Sequence, residues 1–95
     1  MNYSIHQLPV ENNLTFMNHH FAQEHGGVKI SDYKTVYTGQ IQDGDPNEIL
    51  EKLYFKFNLN HPADYKARSL SVSDLVTLEG IGTYFCDSFG WKKIN

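Results

Sequence analysis

The sequence predicts a small single-domain α+β fold with elements in the order β-α-β-α-β-β, both helices packed on one face of an antiparallel or mixed sheet of about four strands. Three observations predict it. Two stretches alternate with period two, two helical segments open on capping residues, and two apolar runs flank Gly80-Ile81-Gly82 near the C-terminus.

Tyr3 to Leu8 alternates and is closed by Pro9, which suits a first strand. Asn13 can cap a helix over 14–25, where Leu14, Met17 and Phe21 fall at helical spacing and Gly26-Gly27 supplies the stop. Tyr33 to Gln42 alternates again, with Tyr33, Thr35, Tyr37 and Gly39 on one face and Lys34, Val36, Thr38 and Gln40 on the other. Asp43-Gly44-Asp45 ends that strand. Asp45 is then an N-cap, Pro46 occupies the first helical position, and Glu48 is placed to reach back as the capping-box partner. This second helix runs to about Phe57. Its apolar face is Ile49, Leu50, Leu53 and Phe57, with Tyr54 at the margin and Glu51, Lys52 and Lys56 outward. An extended connector, His61 to Arg68, leads to the hairpin: Leu75 to Leu78 as a buried strand, Thr83 to Asp87 as its return, and Phe89-Gly90-Trp91 as an aromatic plug.

A chain of 95 residues with 40% hydrophobic content allows one compact domain, 1–95, and buries only ~60 to 65% of its unfolded surface. Six Tyr, six Phe and one Trp make the expected core aromatic and leave little room for a cofactor cavity, so no cofactor is expected. A net charge of −3 argues against non-specific nucleic-acid binding, which depends on many Lys and Arg meeting phosphates. The single cysteine, Cys86, excludes an internal disulfide, and no apolar run approaches the ~18 residues of a membrane span. A cytoplasmic, protein-binding domain is the expectation.

Several residue groups could carry chemistry. His19, His20, His25 and Glu24 include an imidazole and a carboxylate four residues apart, but two ligands on one helix do not make a metal site, and a polar helix surface explains them. Ser69, Ser71 and Ser73 with Asp74 and His61 supply nucleophile, base and orienter types, yet lack the Gly-x-Ser-x-Gly turn, so turn formation by local hydrogen bonds is the expected role. His61, Tyr65, Lys66 and Arg68 could serve a metal-independent ribonuclease as acid, base and phosphate clamp; structurally, His61-Pro62 is a turn and Arg68 anchors an acidic neighbour. Cys86 has no cation beside it in the sequence to activate its thiol and reads as a small, half-buried side chain.

The C-terminal third also carries a recognisable pattern. His61-Pro62-Ala63-Asp64-Tyr65, then Arg68-Ser69-Leu70-Ser71-Val72-Ser73-Asp74-Leu75-Val76, then Tyr84 to Trp91 resembles the YodL-like domain of Gram-positive bacteria and their mobile elements, over roughly residues 61–95. Leu75 and Trp91 depart conservatively from the pattern, Trp91 standing where Phe is expected. On mobile elements such domains look like accessory proteins that act on host machinery, and small acidic proteins of that setting include anti-CRISPR inhibitors of the Cas9 nuclease. Chromosomal members imply a different partner, an actin-like cell-shape protein.

Asp43, Asp45, Glu48 and Glu51 form the largest charge asymmetry, explained structurally by capping and by the positive helix end. The same carboxylates could occupy a basic groove that normally holds nucleic-acid phosphates. Together these features lead to the expectation of a non-enzymatic inhibitor that binds Cas9, free or guide-loaded, through Asp43, Asp45, Glu48 and Glu51 with Tyr37 or Tyr54 as aromatic anchors. A cell-shape modulator and a small ribonuclease are the alternatives.

Overall fold

The structure, a computed structural model, describes all residues 1–95. Five antiparallel strands form one sheet: β1 (Asn2–Gln7), β2 (Lys34–Gln40), β3 (Leu75–Leu78), β4 (Gly82–Cys86) and β5 (Trp91–Lys93), in the order β2-β1-β3-β4-β5. The helices are α1 (His19–Glu24) and α2 (Pro46–Leu59), with a 3-10 turn at Ile30–Asp32. The α+β class expected from the sequence is therefore the observed one, with one strand more than expected.

The register assigns the two faces of the sheet. Tyr3 pairs with Leu78 and Ile5 with Val76, Val76 pairs with Tyr84, and Tyr37 lies opposite Ile5. Residues opposed in an antiparallel pair share a face, and these pack against Ile49, Leu50, Leu53 and Phe57 of α2 to make the core. Complete burial of Leu53 or Phe57 contributes ~2 to 3 kcal/mol each. Phe57 packs edge-on against Tyr3, Tyr37 and Tyr65 at centroid distances of 6.2, 5.4 and 4.8 Å, so the core is aromatic as composition suggests.

α2 follows its local signals. Asp45 Oδ2 accepts a hydrogen bond from the Glu48 amide at 3.2 Å, and Pro46 opens the helix; the return bond, from the Asp45 amide to the Glu48 side chain, does not form. α1 departs from expectation. It covers only six residues, its cap is Asn18 and not Asn13, and Met17 is exposed. The cause is tertiary: Phe16 adopts φ 69° while its amide donates to Ser73 Oγ at 2.9 Å, which breaks the helical run. Gly26 and Gly27, both at positive φ, do end the helix, the Gly27 amide bonding back to the Ala22 carbonyl.

The helices do not share one face of the sheet. His19 of α1 meets Phe85 edge-on at 5.3 Å, and Phe85 points away from Tyr84 and α2. A β-bulge also changes the expected faces of β2: pairing slips at Val36, so Tyr37 faces α2 while Thr35, opposite His6, faces the other side. The expected aromatic plug is a strand and its turn. Trp91 begins β5 opposite Cys86, and Phe89 is 96% exposed at the tip of the β4–β5 turn.

Candidate functional site

Two assemblies gather the residues singled out in the sequence. The first lies under the connector, at the end of β1. Asp74 is fully buried, and its Oδ2 accepts from Gln7 Nε2 at 3.0 Å and from the Ser71 amide at 2.9 Å. Its other oxygen lies 3.7 Å from Arg68 Nη2, a guanidinium nitrogen that also donates to the Leu8 carbonyl at 2.7 Å, while the guanidinium lies over the Phe16 ring. Gln7 Nε2 reaches the Arg68 carbonyl as well, and the Tyr65 hydroxyl donates to that same carbonyl. Ser73, at φ 84°, accepts from the Phe16 amide through Oγ and from the Tyr33 hydroxyl through its carbonyl, at 2.9 and 2.6 Å.

Burial pushes the Asp74 carboxyl up to about 6, against the lowering effects of the Ser71 amide, Gln7 and Arg68. Desolvation therefore outweighs one cation and two hydrogen bonds. The node has the chemistry of a structural knot: Ser73 Oγ and Asp74 Oδ2 are spent on backbone amides and on Gln7, while Ser71 Oγ, Asp74 Oδ1 and Arg68 Nε are buried without a hydrogen-bond partner. Of the expected local turn bonds only the one from the Ser71 amide to Asp74 forms, Ser73 Oγ serving the distant Phe16 amide instead, and Arg68 does anchor an acidic neighbour. Of the ribonuclease candidates only His61 and Tyr65 meet, their ring centroids 5.7 Å apart; the Tyr65 hydroxyl and Arg68 are turned inward to the Arg68 and Leu8 carbonyls, Lys66 is exposed, and His61 Nδ1 bonds the adjacent Pro62 carbonyl.

The match to the YodL-like domain model spans residues 2–95, which extends well beyond the C-terminal pattern. The chain belongs to the YodL-like domain family. No curated protein and no solved structure matches it. In this YodL-like domain the pattern residues 65–76 are those that build the Asp74 node and β3, and the matched N-terminal part supplies Gln7, Leu8 and Phe16 as their partners.

The second assembly is the outer surface of α2 in the YodL-like domain, where the six expected partner-binding residues do not act as one group. Asp43 is held 2.8 Å from the N-terminal ammonium, and Asp45 is committed to its cap. Tyr37 is half-buried, its hydroxyl donating to Asp64 at 3.0 Å, and that bond raises its pKa. Glu48, Glu51 and Tyr54 remain on the surface. Glu51 accepts from Trp91 Nε1 at 2.9 Å, and Tyr54 packs edge-on against the Trp91 ring.

Beside these lie two residues that the sequence reading passed over. Phe55 is 63% exposed and Leu59 is 71% exposed, one turn apart on the outer face. Glu48, Glu51, Phe55 and Leu59 follow one another at spacings of three, four and four, a second stripe on a helix whose first stripe is already buried. Counting apolar residues on both sides of α2 is the signal that reveals it.

The remaining candidates are local. His20 Nε2 lies 3.3 Å from Glu24 Oε1 on an exposed surface, His25 stacks on Phe21, and no three His, Cys, Asp or Glu side chains converge as metal ligands would. Cys86 is buried rather than half-buried. Burial, with Asp74, Glu51 and Asp87 nearby, pushes its thiol up to about 12, opposite to what a reactive cysteine needs. No helix is long and apolar enough to cross a membrane.

Proposed function

We propose that this domain works by binding another protein through the outer face of α2, and that the partner presents a basic surface bordering an apolar groove. The observation that carries the reading is the exposed stripe of Glu48, Glu51, Phe55 and Leu59, flanked by Tyr54 and Trp91. Interface cores favour aromatic anchors, and Phe55 and Leu59 gain nothing from the fold where they stand. Carboxylates at one end of the stripe steer it towards cations, in keeping with the net charge of −3.

The sharpest form of this proposal is an inhibitor of Cas9 that competes for the basic channel holding guide and target, acting in the cytoplasm of a bacterial host. Asp43 and Asp45 leave the contact set, because both precede α2 and stand off the stripe of Glu48, Glu51, Phe55 and Leu59. The test is a reconstituted cleavage assay, adding the protein before or after guide loading and following the guide on a denaturing gel. The reading predicts reduced cleavage with intact guide, relieved by a folded Glu48→Lys/Phe55→Ser variant. Inhibition that survives the variant removes this surface. A shortened guide points to a nuclease, and uninhibited cleavage removes Cas9 as the partner.

A further inference from the structure

On the face of the sheet turned away from α2, hydroxyl groups from three adjacent strands surround one imidazole. His6 Nδ1 lies 2.8 Å from Thr35 Oγ1, and His6 Nε2 lies 3.0 Å from Thr77 Oγ1 and 3.1 Å from Ser4 Oγ. Thr77 Oγ1 is in turn 2.9 Å from Thr83 Oγ1. Ser4 and His6 stand two apart on β1, so the pleat directs both to this face, and the cross-strand register brings Thr77 opposite Ser4 and Thr35 opposite His6.

A proton inventory assigns a role to each group. With the ring proton on Nδ1 donated to Thr35, Nε2 offers a lone pair. Thr77 has a single proton, and the contact with the buried Thr83 hydroxyl can run in either direction; in the arrangement where Thr77 donates to Thr83, Nε2 receives the proton of Ser4. Partial burial lowers the pKa of His6 from its ordinary value, so at neutral pH the ring is uncharged and keeps that lone pair. Ser4, itself half-buried, also lines an open cleft with Thr38, Gly39, Thr77 and Glu79.

We propose that Ser4 is a nucleophile, deprotonated by His6 with Thr35 orienting the imidazole, and that it accepts the acyl group of small activated esters. Ser4 Oγ attacks the carbonyl carbon as its proton passes to His6 Nε2. The Oγ–C bond forms, the bond to the leaving oxygen breaks, and the imidazolium returns the proton to that oxygen. Water then releases the acid by the same route, giving up its proton to Nε2 while Ser4 Oγ regains one. The arrangement has the nucleophile–base–orienter logic of covalent catalysis with a hydroxyl as orienter, and a positioned base of this kind contributes ~10²- to 10⁴-fold. It lies on the opposite face from the α2 stripe and stands or falls independently of the protein-binding reading.

The test is labelling of the full chain with a fluorophosphonate, which forms an Oγ–P bond with loss of fluoride, mapped by peptide mass spectrometry. The expected result is one phosphonyl group on Ser4, absent in Ser4→Ala and slowed about tenfold or more in His6→Gln. The labelling rate should rise with pH through a midpoint below the usual histidine value. Thr35→Val, at an exposed position, should slow labelling several-fold with an unchanged melting temperature, and it decides the matter if His6→Gln does not fold. An unlabelled Ser4, or labelling as fast in the folded His6→Gln or Thr35→Val protein as in wild type, would overturn the proposal.

Discussion

Asp74 concentrates the physical chemistry of this domain in one carboxyl group. Its ordinary pKa of 3.8 rises to about 6 in the fold, so the folded state binds its proton more tightly than the unfolded chain does. The stabilisation from that proton is fully present below about pH 4 and is lost as pH rises through about 6, a swing of about 3 kcal/mol. His6 has the opposite sign. Its lowered pKa makes folding less favourable as pH falls below the ordinary histidine value, where the unfolded chain takes up the proton first. Urea denaturation between pH 4 and 7 should show the two in opposition: Asp74→Asn should remove the component that falls with rising pH, leaving a curve that rises with pH. An unchanged profile would mean that Asp74 is not desolvated as the fold indicates. The pattern Arg68-Ser-Leu-Ser-Val-Ser-Asp74 was legible as a motif. Its use as a buried knot was not, because Gln7, Leu8 and Phe16, which complete it, lie more than fifty residues away in sequence.

At the scale of elements, local chemistry and distant contacts divide the work. α2 was legible because its start is written in four consecutive residues, and Asp45→Ala should cost ~1 kcal/mol, read as a shift of the urea midpoint with an unchanged slope. α1 and β5 were not legible in the same way. The helix is cut short by the Phe16–Ser73 hydrogen bond, and three residues from Trp91 form a strand only because β4 offers them an edge. The bulge at Val36 likewise arises from pairing with β1, and it puts Thr35 and Tyr37, expected on one face, on opposite faces. Gly39 shows how closely β2 and β1 side chains meet: a Cβ there would lie 2.6 Å from Tyr3 Oη. Gly39→Ala must therefore move the Tyr3 ring or the β2 edge, with an expected loss of ~1 to 3 kcal/mol measurable by thermal or urea melting.

For the whole molecule, the sheet divides two chemistries. One side carries the aromatic core and α2, whose outer stripe is the proposed interface, and the other carries α1 and the hydroxyl cluster around His6. The acidic segment was visible in the sequence, but folding ties Asp43 to the chain's own N-terminal ammonium and Asp45 to a cap, leaving Glu48 and Glu51 beside Phe55 and Leu59. The most direct test is a photo-crosslinking amino acid placed at Phe55 and, as a control, at exposed Thr38 on β2, with expression in Gram-positive host cells. The account predicts one discrete protein adduct from position 55, lost when Glu48 and Glu51 are both changed to Lys. No adduct from position 55, or the same adduct from Thr38, would contradict it.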